Sequence, residues 1–316
     1  MHLRSLSFVI LAAACGSSSS KAVDAPTGDA PRADAAPDAL SIVQVSLGQG
    51  GANALLWDAT ASTLYYTDNT ADALDKYTTG TSGSQVATLP TSTGGISLGG
   101  MLEQGDGSIL IANFGFGQAG SIFDVAASAS TGTNVNGGLD ATRRRIGIAR
   151  DSAGAMYTSY FTGGMGVQPV GGVSTLTING TNATETEIAG ATTSAGFKKV
   201  VGVAATTTAV FVSDQTQSMI FKIDLTASNA VTALATVTTA DLLYMLPDGD
   251  MLTGGGATIE RITQAGTVSN VTLPGNPTFS DVRGMAYDAT GHRLFVVDHS
   301  TTAGVGDTLN IIPFTP

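Results

Sequence analysis

Cysteine occurs once in these 316 residues, as Cys15, and tryptophan once, as Trp57. A single thiol cannot form an internal disulfide, so Cys15 is reactive, intermolecular or modified. Charge is also scarce: Asp, Glu, Lys and Arg make up 12% of the chain, about half the usual share. Lys and Arg number 14 against 25 Asp and Glu, a formal net charge of −11. Nucleic-acid recognition needs a basic footprint, so that class of partner is excluded. No Gly-x-Ser-x-Gly elbow is present, and no Ser/His/Asp triad can be read from the order of residues. Nothing reads as a long amphipathic helix, and no stretch approaches the roughly 18 apolar residues that a spanning helix needs. What the chain does have is 42% hydrophobic residues, 40 glycines and an abundance of Thr, Ser and Ala. That is enough apolar matter for a core. The mixture suits short strands joined by tight turns rather than helices rich in Glu and Lys. An all-β fold is the expectation.

The surroundings of Cys15 select modification. Met1 to Arg4 is a short, weakly basic start, Leu6 to Leu11 is apolar, and Ala12, Ala13 and Ala14 are small. That is the layout of a signal peptide over residues 1–14, cleaved just before the cysteine. Leu11-Ala-Ala-Ala-Cys15-Gly16 resembles a bacterial lipobox, with Ala12 where leucine is usual. The resemblance implies an acylated Cys15 as the lipid anchor, and two or three acyl chains hold a protein stably where one is marginal. Residues 15–39 continue with Ser17 to Ser20 and then recurring Asp, Ala and Pro without aromatics, a composition that buries nothing and reads as a disordered tether. The expected partner is a membrane reached through the lipid, at the outer membrane or cell surface, with the periplasmic face as the other option.

From residue 40 to 316 the chain repeats itself, in units of an apolar strand, a turn, and a β-branched or aromatic strand ending in a polar residue. Leu55-Leu-Trp-Asp58 pairs with Leu64-Tyr-Tyr-Thr-Asp68, Gly100-Met-Leu-Glu103 with Ile109-Leu-Ile-Ala-Asn113, and Gly147-Ile-Ala-Arg150 with Met156-Tyr-Thr-Ser-Tyr160. Gly202-Val-Ala-Ala205 pairs with Val210-Phe-Val-Ser-Asp214, Leu242-Leu-Tyr-Met245 with Met251-Leu-Thr-Gly-Gly255, and Gly284-Met-Ala-Tyr287 with Leu294-Phe-Val-Val-Asp298. The second strands end at 68, 113, 160, 214, 255 and 298, steps of 45, 47, 54, 41 and 43 residues. Four strands per unit at that period predict propeller blades. The last unit ends soon after its third strand, Thr308–Ile312, while Ser41–Leu47 stands spare before the first unit. The reading is a six-bladed β-propeller whose first strand completes its last blade and removes the open edge.

Gly284-Met-Ala-Tyr-Asp with Arg-Leu-Phe-Val-Val-Asp298, and Val210-Phe-Val-Ser-Asp214 with Met-Ile-Phe-Lys-Ile223, resemble NHL-type repeats. They also resemble the propellers of the gluconolactonase, senescence-marker and strictosidine-synthase superfamily. In the lactonase branch the resemblance implies a central divalent metal, often calcium, held by a glutamate, asparagines and an aspartate from recognisable turns. Here the first blade begins Gly51-Ala-Asn53 and later ones Arg145-Ile-Gly147 and Val200-Val-Gly202, which are not those ligand turns.

Ends of second strands and starts of first strands face one mouth of a propeller channel, which places Asp68, Asn113, Tyr160, Asp214, Gly255 and Asp298 on a common rim. Asp68, Asn113, Asp214 and Asp298 are candidate ligands for calcium, which takes oxygen donors in flexible geometry. The competing reading is that each aspartate caps a turn or bonds backbone. Of the few basic residues, Arg143, Arg144, Arg145, Lys198, Lys199 and Arg283 all precede first strands. Arg144, Arg145, Lys199 and Arg283 are therefore candidates to bind an anion such as a carboxylate or an acidic glycan, set against pairing with rim aspartates. His299 is the available general base, with Asp214 and Asp298 as its catalytic companions. Trp57, Tyr65 and Tyr66 are expected to pack between sheets. The resulting expectation is a monomeric, lipid-anchored scaffold that binds a ligand or an envelope protein at its rim. The alternative is a metal-assisted hydrolase of lactonase or esterase type.

Overall fold

The computed structural model describes residues 41–48, 51–78, 83–90, 97–115, 121–163, 167–190, 196–302 and 304–316. Residues 1–40, where the signal peptide, the acylated Cys15 and the tether are expected, lie outside the described residues. Among the described residues there are 24 strands and no helix. The strands form six four-stranded sheets, all antiparallel, and five of them use four strands consecutive in sequence. The inner strands are Ala52–Asp58, Leu98–Glu103, Arg144–Arg150, Val200–Ala205, Leu243–Met245 and Val282–Asp288, one for each blade.

The sixth sheet runs Val282–Asp288, Arg293–Asp298, Thr308–Pro313, and then the first strand of the chain, Val43–Ser46. Val43 lies opposite Ile311 and Ser46 opposite Thr308 in antiparallel register. The spare strand thus closes the ring as its sequence predicts. Buried Asp307 locks the closure. Its Oδ2 accepts the N–H groups of Gly51 at 2.7 Å and Ala52 at 2.9 Å, while its backbone exchanges hydrogen bonds with Leu47 and Gly48.

The core lies between blades. Ala286, Phe295 and Leu309 of the last blade pack on Leu55, Leu64 and Tyr66 of the first, with Trp57 stacked on Phe295 at 5.1 Å. Each fully buried side chain of that size contributes about 1.5–3 kcal/mol. Both faces of a blade meet neighbours, so strands such as Ala209–Asp214 are buried at every position and open with an apolar run, Ala209 to Val212.

The turns follow one local rule. In Asp58-Ala-Thr-Ala-Ser62, Asp68-Asn-Thr-Ala-Asp72, Asp214-Gln-Thr-Gln-Ser218 and Asp288-Ala-Thr-Gly-His292 the aspartate Oδ1 accepts the N–H groups two and three residues on. The fifth residue then takes a positive φ of 49–51°. A short acceptor at the strand end replaces the missing ladder bond and fixes the hairpin.

Candidate functional site

The inner strands do not pair evenly. The register shifts between Ala52 and Leu55, Leu98 and Met101, Arg145 and Ile148, Val200 and Gly202, and Val282 and Met285. A bulge at the start of a strand frees a residue from the ladder and re-aims it. The first residue freed in each is Asn53, Gly99, Ile146, Val201 and Arg283. Asp241 holds the matching place in blade five. Ser159 Oγ takes the N–H of Gly147 and donates to Val201 O at 2.8 Å, while Ser213 Oγ takes the N–H of Gly202 and donates to Asp241 O at 2.5 Å. These staples demand glycine: a Cβ on Gly147 would lie 2.7 Å from Val201 O, and one on Gly202 2.6 Å from Asp241 O.

The ring is polar on one side only. Asp241, Arg283 and Asn53 come from three successive blades around the closed ring, and Gly99, Ile146 and Val201 complete the circle. A cavity of about 140 Å³ opens here, with Asn53, Phe114, Ile146, Lys199, Asp241 and Arg283 in its lining. A second, larger cavity of about 250 Å³ lies between the inner strands and is mainly apolar, with Met101, Ile148, Val203, Leu243 and Met285 in its wall.

The charges at the mouth are incompletely matched. Arg283 pairs with Asp281 at 2.7 Å, and its buried Nε has no hydrogen-bond partner. Lys199 makes no ion pair among the described residues, and its ammonium sits 5.7 Å from the Phe161 ring centre. Burial pushes the Lys199 amine down from the ordinary lysine value; Asp241 opposes this and Arg283 adds to it. Burial pushes the Asp241 carboxyl up to about 6, against the pull of Arg283, the Leu242 N–H and Lys199. Asn53 donates its side-chain N–H to Leu98 O, which leaves its Oδ1 as an acceptor.

The residues singled out from sequence divide clearly. Lys199 and Arg283 reach the cavity. Arg144 sits beside it, over the Phe114 ring at 5.2 Å. Arg145 does not reach it, which corrects its placement as a mouth residue: it is fully buried and runs along its own blade to Glu185, at 2.5 Å. Neighbouring Arg143 lies over the Tyr160 ring at 3.8 Å and bonds Glu187. A buried cation must be paired, and the carboxylates of the outer strand of blade three supply the partners.

Asp68 and Asp214 cap turns. Asp214 also takes the N–H groups of Lys198 at 2.6 Å and Lys199 at 3.2 Å, so it holds the segment that presents Lys199. Asp298 does the same for the Arg283 segment, accepting from Ser280 at 2.7 Å and Asp281 at 2.9 Å. Asn113 Oδ1 accepts from Ser97 and Gly115, both at 3.2 Å. His299 turns to Asp307, 2.9 Å away. Among the described residues no group of three or more His, Cys, Asp and Glu could hold a metal ion. Nor does the donor set at the mouth fit a resident calcium ion, since Asp241 is the one carboxylate lining the cavity and Lys199 and Arg283 face the same space.

Asp241 and Asn53 were not legible as site residues. Their signal is positional: Asn53, like Arg283, lies in the bulge at the start of an inner strand, and Asp241 stands just ahead of the inner strand Leu243–Met245. Asp307 carries no comparable signal, because its partners lie about 256 residues away in the sequence.

No family model matches the chain, and no curated protein matches it. Solved structures do. A gluconolactonase from Xanthomonas campestris aligns with 13% identity over 86% of this chain and 89% of its own, with a TM-score of 0.64. A calcium-binding regucalcin from Agrobacterium tumefaciens aligns with 11% identity over 87% and 96%, with a TM-score of 0.63. A virginiamycin B lyase from Staphylococcus aureus aligns with 11% identity over 87% and 99%, with a TM-score of 0.55. At such identities the likeness is one of fold, a six-bladed propeller shared with gluconolactonase- and regucalcin-like proteins.

Proposed function

We propose that this propeller binds a small organic anion at the channel mouth, held between Lys199 and Arg283 with Asp241 and Asn53 as the polar remainder of the site. The observation that carries this reading is the incomplete pairing of two cations at one cavity in a chain with a net charge of −11. Both cations are half-buried, with Arg283 already paired to Asp281, and an anionic ligand would complete their pairing. The cavity of about 140 Å³ admits a small molecule or one end of a larger one.

A second reading is hydrolysis of a lactone or ester without a resident metal. The fold neighbours favour it over a scaffold working through protein contacts alone, since they include a gluconolactonase. Asp241, its carboxyl pushed up to about 6, has the character of a general acid or base near neutral pH. The two readings separate in one experiment on the full chain in detergent. Small carboxylates and lactones are titrated against thermal unfolding while lactone consumption is followed by proton release. Stabilisation by carboxylates without turnover supports binding. A ligand at about a hundred times its Kd adds about 2.7 kcal/mol. Lactone consumption that Asp241→Asn abolishes supports hydrolysis. Neither stabilisation nor turnover contradicts both.

The site belongs, in this proposal, to a protein tethered to an envelope membrane through an acylated Cys15. Cys15→Ser is expected to move the protein from the membrane to the soluble fraction, and continued membrane association without lipid would contradict the anchor.

A further inference from the structure

Lys199 differs from an ordinary surface lysine in its placing. Its backbone N–H is held by Asp214, the N–H of Gln215 bonds back to Lys199 O, and its half-buried side chain lines a cavity with Ile146, Val201 and Phe114. Lys198, one residue earlier, is exposed. No described carboxylate pairs with the Lys199 ammonium. Asp241 faces the same cavity and uses one carboxylate oxygen for the Leu242 N–H at 2.9 Å. Arg283 brings a guanidinium with one buried N–H left over. An amine, a carboxyl group and a guanidinium thus meet at one small, partly apolar space.

We propose that Lys199 is an amine nucleophile for the carbonyl carbon of a small 2-oxo carboxylic acid, with Arg283 gripping its carboxylate and Asp241 exchanging the proton. This rests on the anion-binding reading of the mouth and names its substrate class. The neutral amine attacks with its lone pair, a C–N bond forms, and the carbonyl π electrons pass to oxygen, which takes a proton from the Asp241 carboxyl. The nitrogen gives up a proton to the Asp241 carboxylate. The same group then protonates the departing hydroxyl, which leaves as water as the C=N bond forms. No oxidant or reductant is needed, and water is the one molecule released. Burial favours the reactive forms of both groups: each unit by which the amine is lowered multiplies its neutral fraction about tenfold.

The test traps the imine. The full chain in detergent is incubated with pyruvate and sodium cyanoborohydride, and its adducts are located by peptide mass mapping. In parallel, pyruvate and propionate, which has no ketone, are titrated calorimetrically. The expected result is one reduced pyruvate adduct per chain, on Lys199, with exposed Lys198 unmodified, and loss of the adduct in Lys199→Met. The wild-type peptide map decides the matter even where that variant fails to fold. Binding of both acids with no adduct, or with adducts spread over Lys198 and other exposed lysines, overturns the nucleophile and leaves the anion site standing. Absence of binding by either acid together with absence of adduct overturns both.

Discussion

Oδ1 of Asp307 stands 2.9 Å from Nδ1 of His299, while Oδ2 of the same carboxylate holds the N–H groups of Gly51 and Ala52. One buried side chain in the last blade therefore binds both the rim of its own blade and the start of the first. Truncation to Asp307→Ala strands these amides, and each buried unsatisfied group costs about 1–3 kcal/mol. The expected loss is about 3 kcal/mol, read as a lower urea midpoint with unchanged slope. Asp307→Asn keeps one acceptor and is expected to lose less.

Asp241 makes stability depend on pH in the reverse of the usual carboxylate sense. Its folded-state pKa of about 6 lies above the ordinary value of 3.8. The folded protein therefore binds this proton more tightly than the unfolded chain does. The charged carboxyl is a destabilising load that is fully present above about pH 6, declines as pH falls, and is gone below about pH 4. Asp241→Asn is expected to raise the unfolding free energy at pH 7.5 by about 1–2 kcal/mol, allowing about 1.4 kcal/mol per unit and some solvent screening. Near pH 4 the variant and the wild type are expected to coincide. Denaturant titrations at the two pH values make the comparison.

Arg145 and Glu185 form a buried pair inside blade three, at 2.5 Å, with side-chain exposures of 0% and 5%. Removing one partner of such a pair leaves an uncompensated charge and costs about 3–5 kcal/mol. Arg145→Met is expected to lose that much, and Arg145→Met with Glu185→Leu to recover a large part of it. Chemical denaturation measures both. Ligand affinity at the mouth is expected to stay unchanged in whichever of these variants folds.

Much of the architecture was written in the sequence because it is local. The repeat of short strands, the Asp-x-Thr turns and the spare first strand at Ser41–Leu47 need only period and turn chemistry to be seen, and they fix six blades and their closure. The site was legible in part. Lys199 and Arg283 stood out as scarce cations before inner strands, and the same rule placed Arg145 at the mouth. It failed there because a bulge decides which residue of that segment faces the channel, and Glu185, on an outer strand 40 residues away, helps decide where Arg145 is buried. Rim aspartates such as Asp214 and Asp298 looked like ligands because they sit at the mouth. Their oxygens hold the backbone that presents Lys199 and Arg283. Asp241 escaped notice because a lone aspartate ahead of a strand is common, and its environment arises only when five other blades enclose it.

The central claim is that the mouth is an anion site built by Lys199 and Arg283. Calorimetric titration of propionate and pyruvate into the wild type, Arg283→Ala, Lys199→Ala and Arg144→Ala tests it most directly. Charged hydrogen bonds to a carboxylate contribute about 1.5–3 kcal/mol, so the account predicts about tenfold weaker binding or worse for Arg283→Ala and Lys199→Ala, and a smaller loss for Arg144→Ala. Equal affinity in the wild type and the Arg283 and Lys199 variants, with all of them folded, would contradict it.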